Sequence, residues 1–99
     1  MKTETRKFDA ANYIGSPEMQ AEYLRAALED GDPDTIAIVI GDIARARGAS
    51  EFAKDTGLSR ETIYKAFRSG GNPTLEPLAK AIRALGFRLT IEPAPRTTE

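Results

Sequence analysis

Apolar residues recur at three- and four-residue intervals along most of this chain, which is the period of helices with one buried face. Three long segments show the pattern, and each begins at a residue that can cap a helix. The predicted helices run from Ser16 to near Gly31, from Asp32 to Gly48, and from Thr74 to Gly86. Proline follows the cap in the first two, and glycine ends all three, as is typical of helix termini.

Two shorter helices are predicted between the second and third of these. Residues 50–56 form the first, with Phe52, Ala53 and Thr56 facing inward, and Gly57 ends it. Ser59 caps the second, which extends to about Ser69. A strong loop signal follows at residues 70–73, and a brief helical turn is also predicted over residues 10–14.

The end of the chain has a different period. Residues 87–92 alternate strictly between apolar and polar, which predicts a strand with one buried face that Pro93 ends. A lone strand leaves its backbone groups unpaired, and a second copy of the chain is the simplest partner. We therefore expect a homodimer with a two-stranded sheet, in which Phe87, Leu89 and Ile91 are the dimerisation residues. The alternative is an extended tail packed on its own core.

These elements predict a mainly α protein with one compact domain. Residues 1–31 form an N-terminal helical extension, and residues 32–86 form a helical domain that contains a helix-turn-helix. Residues 87–92 form the C-terminal strand, paired across a dimer, and residues 93–99 are expected to be disordered.

The composition excludes disulfides and most kinds of catalytic site and metal site. The chain has 99 residues, a formal net charge of −1, and neither cysteine nor histidine. Disulfides, thiol catalysis and the usual zinc sites are therefore excluded, and no nucleophile–base pair can be assembled. Asp30, Asp32 and Asp34 alternate as in a calcium loop, but a helix begins at once and capping explains them better. We expect no enzymatic activity, no cofactor and no metal.

No membrane segment is expected. The longest apolar run, residues 36–40, is far shorter than the roughly 20 residues that a membrane helix needs. The first seven residues also lack the apolar core of a signal peptide. We therefore expect a cytoplasmic protein.

The two short helices have the spacing of a helix-turn-helix. Ala53 is small where the helices cross, Gly57 permits a turn of three residues, and Leu58 fills the angle between them. Ile63 and Ala66 anchor the second helix. Its opposite face is suited to phosphates and base edges of DNA, and the predicted DNA-binding residues are Ser59, Arg60, Glu61, Tyr64, Lys65 and Arg68.

The expected contacts differ along this face. Arg60 and Lys65 are the best candidates for base edges, whereas Arg68, at the helix end, is better placed for backbone. Tyr64 can donate to a phosphate or stack on a thymine methyl group. Glu61 can accept from a cytosine amino group or simply pair with Lys65. The alternative is a helical hairpin whose charged face is only solvated.

The sequence also resembles a known family. The stretches 41–48 (GDIARARG) and 52–66 (FAKDTGLSRETIYKA) strongly resemble HigA-like addiction module antidote proteins, which belong to the Xre/Cro-type helix-turn-helix class. The resemblance covers residues 6–91. One departure is at Ala49 and Ser50, where the wider class often has a glutamine that reaches a phosphate.

This resemblance implies a type II antitoxin. Such a protein binds and neutralises a RelE/ParE-superfamily toxin, often a ribosome-dependent mRNA nuclease, and represses its own operon by binding operator DNA. A stand-alone Xre-type transcriptional regulator is the alternative, and a pure interaction module that never touches DNA is a third interpretation.

The N-terminal third is the predicted toxin-binding region. Residues 1–31 hold six acidic against four basic side chains, which suits a basic partner. The expected apolar anchors are Tyr13, Ile14, Met19, Tyr23 and Leu24. The alternative is that this region simply packs on the helix that contains residues 36–43.

Overall fold

A computed structural model describes residues 14–95 and contains five helices in that range. They are α1 (Pro17–Asp30), α2 (Pro33–Arg47), α3 (Ala49–Thr56), α4 (Arg60–Ala66) and α5 (Leu75–Ala84). The predicted mainly α class is confirmed. Residues 10–13 of the predicted helical turn, which include Tyr13, and the last four residues of the predicted tail lie outside the described range.

Three of the four predicted capping residues, Ser16, Asp32 and Ser59, cap their helices with a side-chain hydrogen bond, whereas Thr74 precedes the last helix without one. Ser16 caps α1 by accepting a hydrogen bond from the backbone N–H of Met19, at 3.2 Å. Asp32 caps α2 in the same way from Thr35, at 3.0 Å. Gly31 adopts a left-handed conformation with φ of 83° and donates to the carbonyl of Ala27. The short connection between α1 and α2 therefore makes them antiparallel neighbours.

The core lies where α1, α3, α4 and α5 pack around α2. Helix α2 is the most deeply buried element, with Ile40 and Ile43 fully enclosed. The other enclosed apolar side chains come from every helix and from the segment before α1. They are Ile14, Leu24, Ala27, Val39, Ala44, Phe52, Ala66, Phe67, Ala81, Ile82 and Leu85.

Gly41 allows α2 and the end of α4 to approach closely. A Cβ atom at this position would collide with the backbone carbonyl of Phe67. Because that carbonyl belongs to the chain and not to a flexible side chain, it cannot move aside cheaply. The glycine inside an otherwise regular helix is therefore a packing requirement.

The predicted C-terminal strand is wrong for the single chain. Residues 87–95 have no secondary structure, and within residues 14–95 the structure contains no strand. Phe87 packs against the core, whereas Leu89 is 49% exposed and Ile91 is 99% exposed. The physical reason is that a strand needs a neighbour for its backbone groups, and residues 14–95 of one copy supply none. Dimer formation stays a prediction.

Helix α4 is shorter than predicted, ending at Ala66 and not near Ser69. Phe67 leaves helical geometry with φ of −109° and ψ of 65°, and its side chain is buried. The helix ends where this aromatic ring enters the core, a tertiary effect that local sequence signals do not contain. Among the described residues, no helix is both long and apolar enough to cross a membrane.

Candidate functional site

Helices α3 and α4 are joined by a three-residue turn with well-defined hydrogen bonds. Gly57 has a φ of 78° and donates its N–H to the carbonyl of Ala53, at 3.0 Å. The hydroxyl of Thr56 donates to that same carbonyl, at 2.9 Å, and accepts the N–H of Leu58, at 3.0 Å. These bonds satisfy the end of α3 and set the direction in which α4 departs. The inward orientation of Thr56 was predicted, but its hydrogen bonds to Ala53 and Leu58 were not.

The inner face of α4 is seated on the core. Ala66 is buried and Ile63 is half-buried against the apolar cluster. Immediately after α4, the ring of Phe67 meets that of Phe52 from α3 in an edge-to-face contact, with centroids 6.4 Å apart and planes at 78°. The predicted inward residues of both short helices are therefore confirmed.

The outer face of α4 carries the side chains that the sequence singled out. Arg60, Glu61, Tyr64, Lys65 and, just beyond the helix, Arg68 are all exposed. The ammonium of Lys65 lies 3.1 Å from the carboxylate of Glu61, one helical turn earlier. The guanidinium of Arg68 lies over the ring of Tyr64, 4.9 Å from its centroid. One surface thus presents three cations and an exposed aromatic ring.

Ser59, at the start of this surface, caps α4. Its hydroxyl accepts the N–H of Thr62, at 3.0 Å, and donates its proton to the Thr62 hydroxyl, at 2.9 Å. A phosphate accepts hydrogen bonds, and the hydroxyl proton of Ser59 is already donated to Thr62. Ser59 could therefore donate to DNA only by breaking a bond within the cap. Thr62 is half-buried, and its own hydroxyl proton makes no hydrogen bond among the described residues.

Asp34 holds the loop that follows α4, which sequence reasoning missed. Its carboxylate accepts the backbone N–H of Gly70 and, at 3.2 Å, the hydroxyl of Ser69. Because Asp34 lies in the first turn of α2, the loop carrying Arg68 is tied to the most buried helix. The sequence shows only an acidic residue in a first helical turn. An acidic side chain there is stabilised by the positive end of the helix even when it binds no other residue, so the pattern does not predict a partner.

The predicted toxin-binding residues separate into two groups. Ile14 and Leu24 are buried in the core of this chain and are not available at its surface. Met19 is 40% exposed, and Tyr23 is half-buried. With Glu18 and Glu22, these two line a shallow groove of about 440 Å³ on α1. The packing of α1 on α2, which was the alternative, thus accounts for part of this set.

Tyr23 also belongs to a polar cluster between α1 and α2. Its hydroxyl donates to the carboxylate of the buried Asp42, at 2.8 Å, and Asp42 also accepts from the guanidinium of Arg45, at 2.5 Å. Burial, together with the neighbouring carboxylate, raises the pKa of the Tyr23 phenol from 10.0 to about 12. The phenol therefore stays protonated near neutral pH and is able to donate to Asp42.

Two of the three alternating aspartates, Asp32 and Asp34, have structural partners. Asp32 is the helix cap, and Asp34 is the loop anchor. In the described part of the chain, no three acidic side chains come together in a way that could bind an ion.

Comparison with known proteins identifies relatives of this chain. A family model described as "Probable addiction module antidote protein" matches residues 4–93. A protein of Haemophilus influenzae, described as "Uncharacterized protein", is 37% identical over 92 residues, which cover 93% of this chain and 95% of that protein. No solved structure gives a significant match.

Proposed function

This chain belongs to the family of probable addiction module antidote proteins, and from that premise we propose that it is a type II antitoxin that also represses its own operon. It binds and neutralises a small toxin of the RelE/ParE superfamily, and it acts as a binding protein and not as an enzyme. In this proposal the chain is HigA-like, and its DNA-binding element is an Xre/Cro-type helix-turn-helix formed by α3 and α4.

The antitoxin part rests on the family and is tested with the neighbouring gene. The small open reading frame beside this one is expressed with and without this chain while growth is followed. Growth arrest that this chain reverses, together with co-purification of the two proteins, is the expected result. Unchanged growth when the neighbour is expressed alone would contradict the proposal and favour a stand-alone Xre-type regulator.

The outer face of α4 is the observation that carries the DNA-binding part. A short helix, fixed by a tight turn on one side and an aspartate-held loop on the other, projects Arg60, Lys65 and Arg68 into solvent. Arginine and lysine at such positions can reach guanine edges in the major groove and neutralise phosphates. The side chain of Tyr64, which is 68% exposed, adds a hydroxyl donor to the same surface.

Substitutions on α4 test this assignment. We expect Arg60→Ala and Lys65→Ala each to weaken binding to the operon's own promoter by about 1–3 kcal/mol. The salt dependence of binding should also become weaker wherever the replaced side chain neutralises a phosphate. The measurement is a titration of promoter DNA at several salt concentrations. Lys80→Ala is a matched control, because Lys80 makes the same one-turn pair with Glu76, at 3.0 Å, on α5.

The control separates DNA binding from helix stability. Lys65 and Lys80 each lose an exposed ion pair of small energetic value when replaced by alanine. If Lys65→Ala and Lys80→Ala have equal effects on promoter binding, or if neither has any, α4 is not the DNA-binding element. The chain would then be an interaction module.

The acidic groove on α1 is the proposed toxin contact. Glu18 and Glu22 lie beside Met19 and Tyr23, so an apolar patch is bordered by two carboxylates, of which that of Glu22 also pairs with Arg25 at 2.5 Å. This pattern suits a basic partner, because rim charges speed association while a central apolar side chain holds the complex. Deleting residues 1–30 is not a usable test, since Ile14, Leu24 and Ala27 are part of the core.

Surface substitutions replace that deletion. We expect Glu18→Gln with Glu22→Gln to slow toxin association, and Met19→Ala to speed dissociation, each by about tenfold. Surface plasmon resonance with the purified toxin measures both rates. Glu29→Gln with Asp30→Asn removes the same charge from the other end of α1 and should leave both rates unchanged. Equal effects from the two double variants would exclude this groove.

A homodimer through residues 87–92 completes the proposal. A dimer places two copies of α4 on one face of a duplex, with half-sites about 34 Å apart or a multiple of that distance. The exposed Leu89 and Ile91 are the surface that supports this part of the proposal.

A further inference from the structure

Residues 87–92 alternate apolar and polar side chains as a strand does, but they pair with no other strand in the described part of the chain. The N–H of Phe87 donates to the carbonyl of Ile82, at 3.1 Å, and residues 88–95 make no hydrogen bond within the described part of the chain. Phe87 is seated on the core, so the segment leaves the domain at a defined point. Its backbone donors and acceptors are therefore available to a second chain.

The segment also borders a groove with an apolar floor and charged edges. Leu24 and Leu28 of α1, Ile82 of α5 and Phe87 contribute apolar side chains to this groove of about 530 Å³. Residues 88–92 lie along it, and α1 adds Arg25 and Glu29. A two-stranded ribbon alone is marginally stable in water and needs a helix to pack on. Helix α1 lies beside the segment and is such a helix.

The order of side chains in this segment selects one antiparallel alignment with a second copy. Residues that face each other across an antiparallel pair point to the same side of the sheet, so apolar positions must oppose apolar ones. Centring the pair on Thr90 places Leu89 opposite the partner's Ile91 and Thr90 opposite the partner's Thr90. The same alignment places Arg88 opposite the partner's Glu92, and by symmetry this happens twice.

The neighbouring alignments lose these pairs. Centring on Leu89 places Arg88 opposite threonine and Glu92 opposite the partner's Gly86. Centring on Ile91 brings Pro93, which has no N–H to donate, opposite the partner's Leu89 inside the ladder. Facing threonines and facing opposite charges both stabilise antiparallel pairs, whereas like charges in facing positions destabilise them.

We propose that this chain dimerises through an antiparallel pair of residues 87–92 centred on Thr90, in which two Arg88–Glu92 pairs between the copies specify the alignment and restrict pairing to a matching chain. The inference rests on the dimer in the proposed function and adds the register and the residues that recognise the partner. The two ion pairs lie on the polar side of the ribbon, and the apolar side covers the groove beside α1.

A charge exchange tests the recognition. In Arg88→Glu, both facing positions become acidic, and in Glu92→Arg both become basic. We expect the homodimer dissociation constant of each variant to rise about tenfold or more, because two attractive pairs become repulsive. Mixed in equal amounts, the two variants should form a heterodimer, since every facing pair is again opposite in charge. Analytical ultracentrifugation and native mass spectrometry of the full chains measure both results.

Controls distinguish register from general charge effects. Lys54→Glu changes the net charge by the same amount as Arg88→Glu but lies on α3, away from the groove, and should dimerise like the unmodified chain. The double variant Arg88→Glu with Glu92→Arg should also dimerise, because its facing pairs are restored with the signs reversed. Higher salt should reduce the difference between variants.

Cysteine cross-linking tests the alignment directly, and this chain has no cysteine of its own. Facing residues in an antiparallel pair have Cα atoms about 4.5–5.5 Å apart, within the span of a disulfide. Thr90→Cys should therefore form a covalent dimer on mild oxidation, whereas Leu89→Cys should do so poorly. Efficient cross-linking of Leu89→Cys with none for Thr90→Cys would overturn the proposed register.

The outcomes separate this inference from the function it rests on. A dimer whose charge variants associate as tightly as the unmodified chain, without preferring the heterodimer, would exclude the Arg88–Glu92 pairs while keeping the dimer. A chain that stays monomeric at high concentration would exclude the dimer as well. Neither result affects toxin neutralisation, which is measured by growth.

Discussion

At the scale of single residues, the buried polar side chains in residues 14–95 have partners that sequence periodicity does not reveal. Asp42 lies in the middle of α2, where a helical pattern predicts a solvated charge, yet it is buried. It accepts from Tyr23 on α1 and from Arg45 on its own helix. A buried carboxylate is tolerated only when hydrogen bonds replace its water, so these two donors stabilise the folded chain.

The phenol of Tyr23 should make the stability of the protein depend on alkaline pH. Its pKa is raised to about 12 in the folded chain from 10.0, so the unfolded chain loses this proton first. The stabilisation is complete below pH 10 and is lost as the pH rises toward 12. We expect the free energy of unfolding to fall more steeply across that window in the unmodified chain than in Tyr23→Phe.

Urea unfolding at about pH 9 and about pH 11.5 measures this difference. Tyr23→Phe should also cost about 1–2 kcal/mol near neutral pH, because Asp42 loses a hydrogen bond while it stays buried. Tyr64→Phe removes the same hydroxyl from the exposed face of α4 and should change neither quantity. Parallel pH profiles for the unmodified chain and Tyr23→Phe would show that this hydroxyl is not stabilising.

At the scale of the elements, the orientation of α4 depends on contacts at both of its ends. The turn before it is held by Gly57, Thr56 and Ser59, and the loop after it is held by Asp34 of α2. A seven-residue helix has little stability of its own. Its position is therefore a property of these anchors and of the aromatic contact between Phe52 and Phe67.

Removing the Asp34 anchor should loosen the loop without unfolding the protein. We expect Asp34→Ala to lower the free energy of unfolding by about 1–2 kcal/mol, because Gly70 and Ser69 lose their acceptor. Amide hydrogen exchange at Gly70 should speed up by a larger factor than exchange in α2. Glu18→Ala is the control, since Glu18 is likewise an acid in a first helical turn but makes no hydrogen bond in the described chain.

If Gly70 exchanged at the same rate in Asp34→Ala and Glu18→Ala, the anchor would not be holding the loop in solution. If the loop does loosen, promoter binding should weaken in Asp34→Ala, because Arg68 is carried by the anchored segment. Because Asp34 is hydrogen-bonded to the loop, its substitution should weaken DNA binding indirectly, through the position of α4, and not by removing a contact with DNA.

At the scale of the whole molecule, Arg47 connects both ends of the domain. From the last turn of α2, its guanidinium donates to the side-chain oxygen of Gln20, at 2.7 Å, and to the carbonyl of Leu85, at 2.9 Å. It also lies over the ring of Phe87, 5.6 Å from the centroid. Gln20 in turn donates to the carbonyl of Ile14, at 3.0 Å. One side chain thus links the start of the described chain to the base of the proposed dimer segment.

Arginine should be required at this position. We expect Arg47→Ala to lower the free energy of unfolding by about 1–2 kcal/mol, and Arg47→Lys to restore less than half of it, because an ammonium lacks the planar fork of donors. Urea denaturation measures both. Arg83→Ala, on the exposed side of α5, should change stability by no more than about 0.5 kcal/mol. Full rescue by lysine would show that only the charge matters.

The sequence alone was sufficient for the positions of the five described helices apart from the end of α4, for three of their side-chain caps and for the outer face of α4. Ser16, Asp32 and Ser59 act within three residues of themselves, so local pattern contains the whole cause. The same holds for the exposed side chains of α4, because their direction follows from helical spacing once the buried face is known. The similarity to antidote proteins is likewise a property of the sequence.

Tertiary structure alone decided the contacts that join residues far apart in the chain. Folding brings Asp34 to Gly70, Tyr23 to Asp42 and Arg47 to Leu85, where each pair forms a hydrogen bond. No local sequence period marks such pairs. It also buried Ile14 and Leu24, which the sequence had offered to a partner. The segment 87–92 shows the reverse case. Its alternation is a local property, whereas strand formation needs a second strand, which the described residues of a single chain do not provide.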